Sequence, residues 1–291
     1  MSHLSRIIVC LLLFALCGCA MKESGTTVEK DTTMNQKSPA IVLVAFGTTS
    51  DKGRQVFDVI EQAARRRYPD HDIFLAFTSQ TVVDRLHKRG IQVRNLEETL
   101  AVLQAQGYRQ AVLQSLMIVP GQKDAEISQV PTGTLQATYG QALMATPEDI
   151  RAVAAAVNED IAADRPTVFV THGNSKHPRY NQALLAFAAT IEAQSDSTFT
   201  CSVEGQPGLA KLPKARMQAE KAGAVHFVPL MLVAGDHIEN DVLGDEPDSW
   251  KSLIGVPEAS CSQPLGYNAG IRDIFFRHLD TAMTALQAVE G

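Results

Sequence analysis

The sequence carries little charge and no block of basic residues. Of its 291 residues only 20% are charged, whereas 45% are hydrophobic, and the formal net charge is -6. Nucleic-acid binding needs clustered Lys and Arg, so that function class has no support here. The length and the hydrophobic fraction suffice for one large or two medium domains with cores of their own.

Cysteine is also scarce, and phosphate-binding motifs are lacking. Beyond the first 20 residues only Cys201 and Cys261 remain. An oxidising compartment would permit a disulfide between them, but they form neither a disulfide framework nor zinc-finger spacing. The turn Gly47-Thr48-Thr49-Ser50 could hold an anion on backbone N–H groups, yet it lacks the Lys and the glycine spacing of a P-loop. We therefore expect no ATP requirement.

The N-terminus reads as an export signal. Arg6 precedes an apolar run from Ile7 to Leu16, which is too short for a stable membrane span. The motif LCGC, ending at Cys19, resembles a bacterial lipobox; the alternative is an ordinary cleaved signal peptide. We predict a signal over residues 1–19, a polar linker over 20–39, and a periplasmic protein that is either free or lipid-anchored through Cys19.

From Ala40 onward, apolar runs of strand length alternate with amphipathic helical patterns. Continuous apolar strands joined by helices predict parallel sheets covered on both faces, an α/β fold. The predicted strands are Ile41–Phe46, Ile73–Phe77, Ala111–Val119, Thr167–Thr171, Phe199–Val203 and Val225–Val233. The predicted helices are Gly53–Tyr68, Glu97–Gln106, 147–163, Tyr180–Ala193, Leu212–Ala222 and Ala269–Val289.

The body contains an internal repeat. The segment IVLVAFGTT matches TVFVTHGNS, IFLAFTSQ falls where FTCSVEGQ falls, and AVLQSLMIVPGQK matches AVHFVPLMLVAGDH. Three matches in one order predict two pseudo-symmetric, doubly wound halves, residues 40–145 and 146–291, that face each other across a cleft. The last helix could pack back on the first half. Ligands in such sheets bind beyond the carboxyl ends of the strands.

Three polar residues end strands of the second half: His172, Glu204 and His237. Two neutral imidazoles and a carboxylate suit a divalent first-row metal and leave coordination positions open. The alternative is that the histidines are hydrogen-bonded rim residues and that Glu204 caps a turn. The repeat gives as their counterparts Phe46, Ser79 and Lys123. The second half alone therefore carries the candidate metal site.

Two charged segments lie near this rim. The segment NSKHPRY contains Lys176, His177 and Arg179, which could contact substrate carboxylates or could simply be solvated surface. The acidic stretch that follows His237 could gather metal cations, although such a stretch is more often a polar loop.

The segments FVTHGNS, FVPLMLVAGDHIENDVLGDEPDSWK and IVLVAFGTT resemble the anaerobic cobalt chelatases of cobalamin biosynthesis. The resemblance runs over nearly the whole chain from Ala40. Members of that family are class II chelatases that insert Co²⁺ into sirohydrochlorin and share their fold with ferrochelatases. By this resemblance His172 and His237 are metal ligands and catalytic residues, and Glu204 completes the metal set.

The sequence also departs from the family pattern. Where members commonly read QSLHIIxGxE, this chain reads QSLMIVPGQKDAE, so that Met117 and Lys123 replace a histidine and an acidic residue. If that acid helps to remove protons or deliver metal, this protein must use Asp124 or Glu126, or do without such an acid.

The resemblance implies a tetrapyrrole substrate and Co²⁺, with Fe²⁺ as an alternative metal. We predict substrate contacts from Phe46, Thr48, Thr49, Lys123, Asn174 and Ser175. The competing hypothesis is an exported metal- or tetrapyrrole-binding carrier on the same fold. A periplasmic substrate-binding protein also has two α/β halves and a lipobox, but the aligned rim ligands argue against it. The sequence leaves open whether the chain binds haem or forms a homo-oligomer.

Overall fold

The computed structural model describes residues 37–288. The predicted signal peptide, Cys19 and most of the 20–39 linker lie outside that range, so export and lipidation stay predictions. No helix within residues 37–288 is long and apolar enough to cross a membrane.

The first half alternates strands and helices. The first strand, Ala40–Ala45, is buried at all six positions, as expected for a strand of a parallel sheet covered on both faces. The first helix, Asp51–Arg67, begins after Ser50, whose hydroxyl accepts a hydrogen bond from Gly53 N at 3.1 Å. In order, the elements are β1 (Ala40–Ala45), α1 (Asp51–Arg67), β2 (Ile73–Phe77), α2 (Gln80–Lys88), α3 (Leu96–Ala105), β3 (Gln110–Ser115), α4 (Gln122–Ile127) and β4 (Gln136–Gly140).

The second half repeats that order and adds short turns near the strand ends. Its first helix starts with a capping box between Thr146 and Asp149, with Pro147 at the first helical position. The helices and strands are α5 (Pro147–Ala156), β5 (Thr167–Thr171), α6 (Gln182–Glu192), β6 (Thr198–Ser202), α7 (Leu212–Ala222), β7 (Ala224–Pro229), α8 (Trp250–Ile254), β8 (Glu258–Cys261) and α9 (Ala269–Ala288). The 3₁₀ turns are Asn158–Asp160, Pro178–Asn181 and Leu265–Tyr267, and His237–Val242 is a π-helical turn.

Each half contains a four-stranded parallel sheet, and the two sheets have the same topology. The strand order is β2-β1-β3-β4 in the first and β6-β5-β7-β8 in the second. In both, the first strand of the half lies between the second and the third, which places helices on both faces. This confirms the predicted fold of two doubly wound α/β halves.

The internal symmetry extends to single hydrogen bonds beyond the strand ends. Ser79 N donates to Phe46 O at 3.2 Å, just as Glu204 N donates to His172 O at 2.8 Å. These bonds make Phe46 and Ser79 the structural counterparts of His172 and Glu204.

The segments after β3 and β7 correspond in the same way. Leu143 N donates to Met117 O at 2.8 Å, and Leu265 N donates to Met231 O at 2.9 Å. The chain therefore leaves the third strand of each half along the same path.

The last helix, α9, packs on β3 and β4 of the first half. Its backbone carbonyls accept hydrogen bonds from two side chains of that half: Thr138 Oγ1 donates to Ala282 O at 2.8 Å, and Tyr68 Oη donates to Phe276 O at 3.1 Å. In the second half, His278 and Arg277 contact Asp149 of α5. Helix α9 thus contacts both halves.

Several predicted boundaries differ from the structure. Strands β3 and β7 end at Ser115 and Pro229, because the four apolar residues that follow each strand leave the sheet and line a cleft. Helix α5 ends at Ala156, and a 3₁₀ turn follows. Two edge strands and three short helices were not predicted from the sequence, namely β4, β8, α2, α4 and α8.

The two cysteines of the body do not form a disulfide. Cys201 lies in β6 and Cys261 in β8, which are opposite edges of the second sheet, and both thiols are free. Burial raises the pKa of Cys201 to about 12 and that of Cys261 to about 11, so both stay protonated thiols near neutral pH.

Candidate active site

A cleft of about 540 Å³ lies between the two halves, and both contribute to its walls. Its size is within the range of small-molecule sites. Two equivalent apolar segments, residues 116–119 and 230–233, form much of the lining. The other residues are Ala45, Phe46, Gly47, Thr48, Phe57, 121–124, 172–174, Tyr180, Asn181, Leu184 and 235–237.

Two histidines meet in the wall formed by the second half. His172 directly follows β5, and His237 begins the π-helical turn after β7. Their ring centroids are 5.0 Å apart, and the ring planes are inclined by 82°. Since β5 and β7 are paired parallel strands, residues beyond their carboxyl ends are brought to one edge of the sheet.

The hydrogen-bond partners of the two rings fix their tautomers. His172 Nδ1 lies 2.8 Å from Gly173 O, and a carbonyl oxygen can only accept, so Nδ1 carries the proton. His237 Nδ1 lies 2.6 Å from a carboxylate oxygen of Asp241. In the neutral form of each ring, Nε2 then presents a lone pair. A carboxylate behind a histidine is a common arrangement in metal sites, because it orients the ring and raises its basicity.

The backbone of Glu204 lies next to that of His172, but the Glu204 carboxylate is hydrogen-bonded to Ser175. Its backbone N–H donates to His172 O, whereas its side chain accepts a hydrogen bond from Ser175 Oγ at 3.1 Å. Within residues 37–288 no three His, Cys, Asp or Glu side chains are grouped closely enough to hold a metal. The structure therefore brings together two members of the predicted set.

Glycines allow the close approach of the β5 and β6 ends. Gly173 has φ +74°, and a Cβ added there would lie 1.7 Å from Glu204 O. Gly205 has φ +61°, and a Cβ would lie 2.4 Å from Asn174 O. A side chain at either position would separate the segments that carry His172 and Glu204.

The predicted substrate residues are only partly in the cleft wall. Phe46, 48% exposed, and Thr48 line the cleft. Asn174 also lines it, and its Oδ1 accepts a hydrogen bond from His177 N at 2.7 Å. Thr49 and Ser175 lie outside the wall: Thr49 O accepts from Arg89, and Ser175 donates to Glu204.

Lys123 and Asp124 of α4 line the first-half wall of the cleft. Lys123 Nζ forms an ion pair with Glu126 at 2.6 Å. Burial raises the pKa of Asp124, although a hydrogen bond with the Ser115 side chain opposes that effect. A carboxyl with a raised pKa is suited to proton transfer near neutral pH.

Sequence reasoning did not identify two contributions to this site. Tyr180, which the sequence places at the start of a helix, lines the cleft. Asp241, one of several acidic residues in the stretch after His237, forms a hydrogen bond with the His237 ring. The separation of four residues between His237 and Asp241 would have suggested contact on a helical turn, had that segment been read as helical.

Two equivalent parallel α/β halves with paired histidines at their cleft place the protein in the structural class of the chelatases. SirB from Bacillus subtilis with Fe³⁺ has a TM-score of 0.60 and 13% identity, covering 86% of this chain and 97% of that one. The sirohydrochlorin chelatase SirB from Bacillus subtilis subspecies spizizenii, in complex with cobalt, has a TM-score of 0.56 and 14% identity, with the same coverage. At such identities these structures establish the likeness of fold.

Sequence comparison then gives the family. The Cobalt chelatase (CbiK) family matches residues 39–284, so the chain belongs to that family. Sirohydrochlorin cobaltochelatase of Salmonella typhimurium is 33% identical over 260 residues, which cover 84% of this chain and 96% of that protein. Sirohydrochlorin cobaltochelatase CbiKC of Nitratidesulfovibrio vulgaris is 29% identical over 259 residues, covering 84% and 91%. The resemblance recognised in the sequence is confirmed.

Proposed function

We propose that this protein is a sirohydrochlorin chelatase that inserts Co²⁺, with Fe²⁺ as an alternative metal, without ATP, in cobalamin biosynthesis. One observation carries the proposal: two imidazoles, 5.0 Å apart between centroids, lie in the wall of a cleft between two α/β halves. Family membership and the similarity to cobaltochelatases support the same activity.

The incoming metal, which is a substrate, would bind His172 and His237 through Nε2. Neutral imidazoles suit Co²⁺ and Fe²⁺, and two of them leave most coordination positions open. Glu204 would supply a carboxylate ligand once its side chain leaves Ser175. The backbone bond from Glu204 N to His172 O keeps that carboxylate on the adjacent strand end.

The macrocycle would enter the cleft between the segments 116–119 and 230–233, whose apolar side chains suit its faces. Phe46 offers a half-exposed aromatic surface, and Thr48 and Asn174 offer hydrogen-bonding groups. Lys123 would attract the acidic side chains of the ring, although its ion pair with Glu126 must then be shared.

Metal insertion releases the protons of the pyrrole N–H groups, which need an acceptor. Asp124 lies in the cleft wall of the half opposite to the histidines. Its carboxylate could take these protons while His172 and His237 hold the metal on the other wall. The raised pKa of Asp124 makes it a stronger base than an exposed aspartate.

The test is anaerobic metal insertion into sirohydrochlorin with Co²⁺ or Fe²⁺, followed through the absorbance of the ring. Wild-type protein should accelerate insertion, and His172→Ala and His237→Ala should each abolish that acceleration. The proposal would be refuted if, with both Co²⁺ and Fe²⁺, the insertion rate with protein equals the rate without it.

The second candidate is a metal- or tetrapyrrole-binding carrier, haem included. It is favoured by Lys123, which occupies the position of the family's acid and is paired with Glu126. Tight binding of ring or metal without insertion would support the carrier.

Analytical ultracentrifugation would test for a homo-oligomer.

We also propose that the protein is exported and anchored through Cys19, on the strength of the apolar run and the LCGC motif. Cell fractionation of the full chain tests this. Wild type should be in the membrane fraction, and Cys19→Ala should lose the acyl mass detected by mass spectrometry.

A further inference from the structure

The loop between β5 and α6 presents basic side chains near His172. Lys176, His177 and Arg179 are exposed, and within residues 37–288 none of them forms an ion pair with a carboxylate. Lys123, the basic residue of the opposite wall, is already paired with Glu126.

Tyr180 holds the guanidinium of Arg179 in place. Arg179 Nη2 donates a hydrogen bond to Tyr180 Oη at 2.8 Å, and the guanidinium carbon lies 4.7 Å from the centroid of that ring. The His177 ring lies against Tyr180 at 5.7 Å between centroids. Contact with an aromatic ring limits the positions an exposed arginine can adopt, so less entropy is lost when it binds an anion.

Tyr180 also connects this loop to the cleft and to the other half. It lines the cleft, and a Cβ added at Gly121 would lie 4.0 Å from Tyr180 Cγ. Arg179 is therefore fixed beside the cleft wall, on the side that carries His172. A guanidinium has five N–H donors in a planar fork, and the bond to Tyr180 uses one, so the rest can bind a carboxylate.

We propose that Arg179, positioned by Tyr180, binds a carboxylate side chain at the rim of the macrocycle and selects rings with many acidic substituents. The inference deepens the proposed function and rests on it. Because the protein has a net charge of -6, a polyanionic ring would be repelled overall, and a fixed local cation is needed at the site of entry.

The experiment measures binding of the metal-free macrocycle to the full chain, anaerobically, by the absorbance of the ring. Arg179→Gln should weaken sirohydrochlorin binding about tenfold, as for loss of one charge-assisted contact. Tyr180→Phe retains the aromatic ring but loses the hydrogen bond to Arg179, so we expect sirohydrochlorin binding to weaken about threefold. Arg151→Gln, an exposed arginine of α5 paired with Glu148, is the matched control and should bind like wild type.

Two further readouts separate charge recognition from loss of structure. Arg179→Gln should reduce the salt dependence of sirohydrochlorin binding, and it should change the affinity for a porphyrin with fewer carboxylates much less. Its Co²⁺ affinity should equal that of wild type. The double variant with Tyr180→Phe should be no weaker than Arg179→Gln alone, because the two residues act as one unit.

The outcomes distinguish this inference from the proposed function. Wild-type affinity and salt dependence in Arg179→Gln, or equal weakening toward both rings, overturns the inference, whatever the insertion rate. Tight ring binding by wild type without metal insertion overturns the proposed function and leaves the role of Arg179 intact.

Discussion

Substitution of Gly173 by alanine should both destabilise the fold and weaken Co²⁺ binding. An alanine at φ +74° costs about 1–2 kcal/mol in the backbone alone. Its Cβ would also lie 1.7 Å from Glu204 O, a backbone atom that no rotamer change can move. Relief requires breaking the hydrogen bond from Glu204 N to His172 O, which adds about 1 kcal/mol. We expect the free energy of unfolding to fall by about 2–3 kcal/mol.

The chain offers two matched controls. Gly223 has φ +71° but nothing within 4 Å of an added Cβ, so Gly223→Ala isolates the backbone cost. Gly47 is the repeat counterpart of Gly173, and an added Cβ there meets the Phe77 ring at 2.9 Å. That contact lies in the core of the first half, whereas His172 and His237 both belong to the second half. Both control variants should keep the wild-type Co²⁺ affinity.

The assay combines urea unfolding with anaerobic Co²⁺ titration against a competing chelator. Gly173→Ala should bind Co²⁺ at least tenfold more weakly, because the ends of β5 and β6 separate and His172 moves away from His237. A folded Gly173→Ala protein with wild-type Co²⁺ affinity would refute the reasoning. Gly173 would then be required only for the local backbone conformation and not for the position of His172.

Three other carboxylates give predictions of different kinds. Asp241→Asn should weaken Co²⁺ binding about tenfold or more, measured by the same titration, because Asp241 orients His237. Asp124→Asn should lower the insertion rate about a hundredfold without changing Co²⁺ affinity. Because burial raises the pKa of Asp124, ionisation of this carboxyl destabilises the folded state as pH rises. Asp124→Asn has no charge to bury, so it should unfold at a higher urea concentration than wild type at pH 7. Burial opposes ionisation of Asp149 too, but hydrogen bonds led by that from His278 hold its pKa below the usual value. Its stabilisation is therefore present at neutral pH and is lost as pH falls below about 4, so Asp149→Asn should flatten the acid limb of stability against pH, followed by urea unfolding.

Each of these variants has a control of the same chemistry. Asp236→Asn alters a carboxylate that accepts a hydrogen bond from Asn240 rather than from a histidine, so its Co²⁺ affinity should equal that of wild type. Glu126→Gln should leave the rate of insertion at saturating substrate within about threefold, since Glu126 lies outside the cleft wall. Asp164→Asn removes an exposed ion pair with Arg165, and because water screens such a pair the urea midpoint of unfolding should change little. A control that behaves like its partner variant would contradict the corresponding assignment.

The central strands could be predicted because burial on both faces leaves a continuous apolar run. The central strand Thr167–Thr171 was predicted with the observed bounds. The edge strand Ile73–Phe77 was also predicted with its observed bounds, because its sequence IFLAF is itself an apolar run. The edge strands β4 and β8, with the sequences QATYG and EASC, carry no such pattern, since an edge strand is defined by its pairing partner more than by its composition. The segment 116–119 was predicted as strand because apolar residues that line a cleft look like residues of a core.

The site was predictable as far as the backbone determines it. Strand ends in a repeated fold predict that His172 and His237 lie at one edge, and the structure brings their rings together. The direction of the Glu204 side chain depends on the hydroxyl of Ser175, and the contact between Asp241 and His237 depends on an irregular helical turn. The contact between Glu204 and Ser175 leaves no periodic signal in the sequence, and the four-residue spacing of His237 and Asp241 is a signal only where a helical turn is expected.

The last helix gives the molecule a mechanical constraint. Helix α9 is hydrogen-bonded to the first half through Thr138 of β4 and through Tyr68, which follows α1, and to the second half through Asp149, so it spans the junction between the halves. We expect the cleft to widen by bending about α9 rather than by sliding of one sheet past the other. The gap that admits a flat ring is thus set partly by a helix that contributes no residue to its walls, and shortening α9 should alter how readily the gap opens.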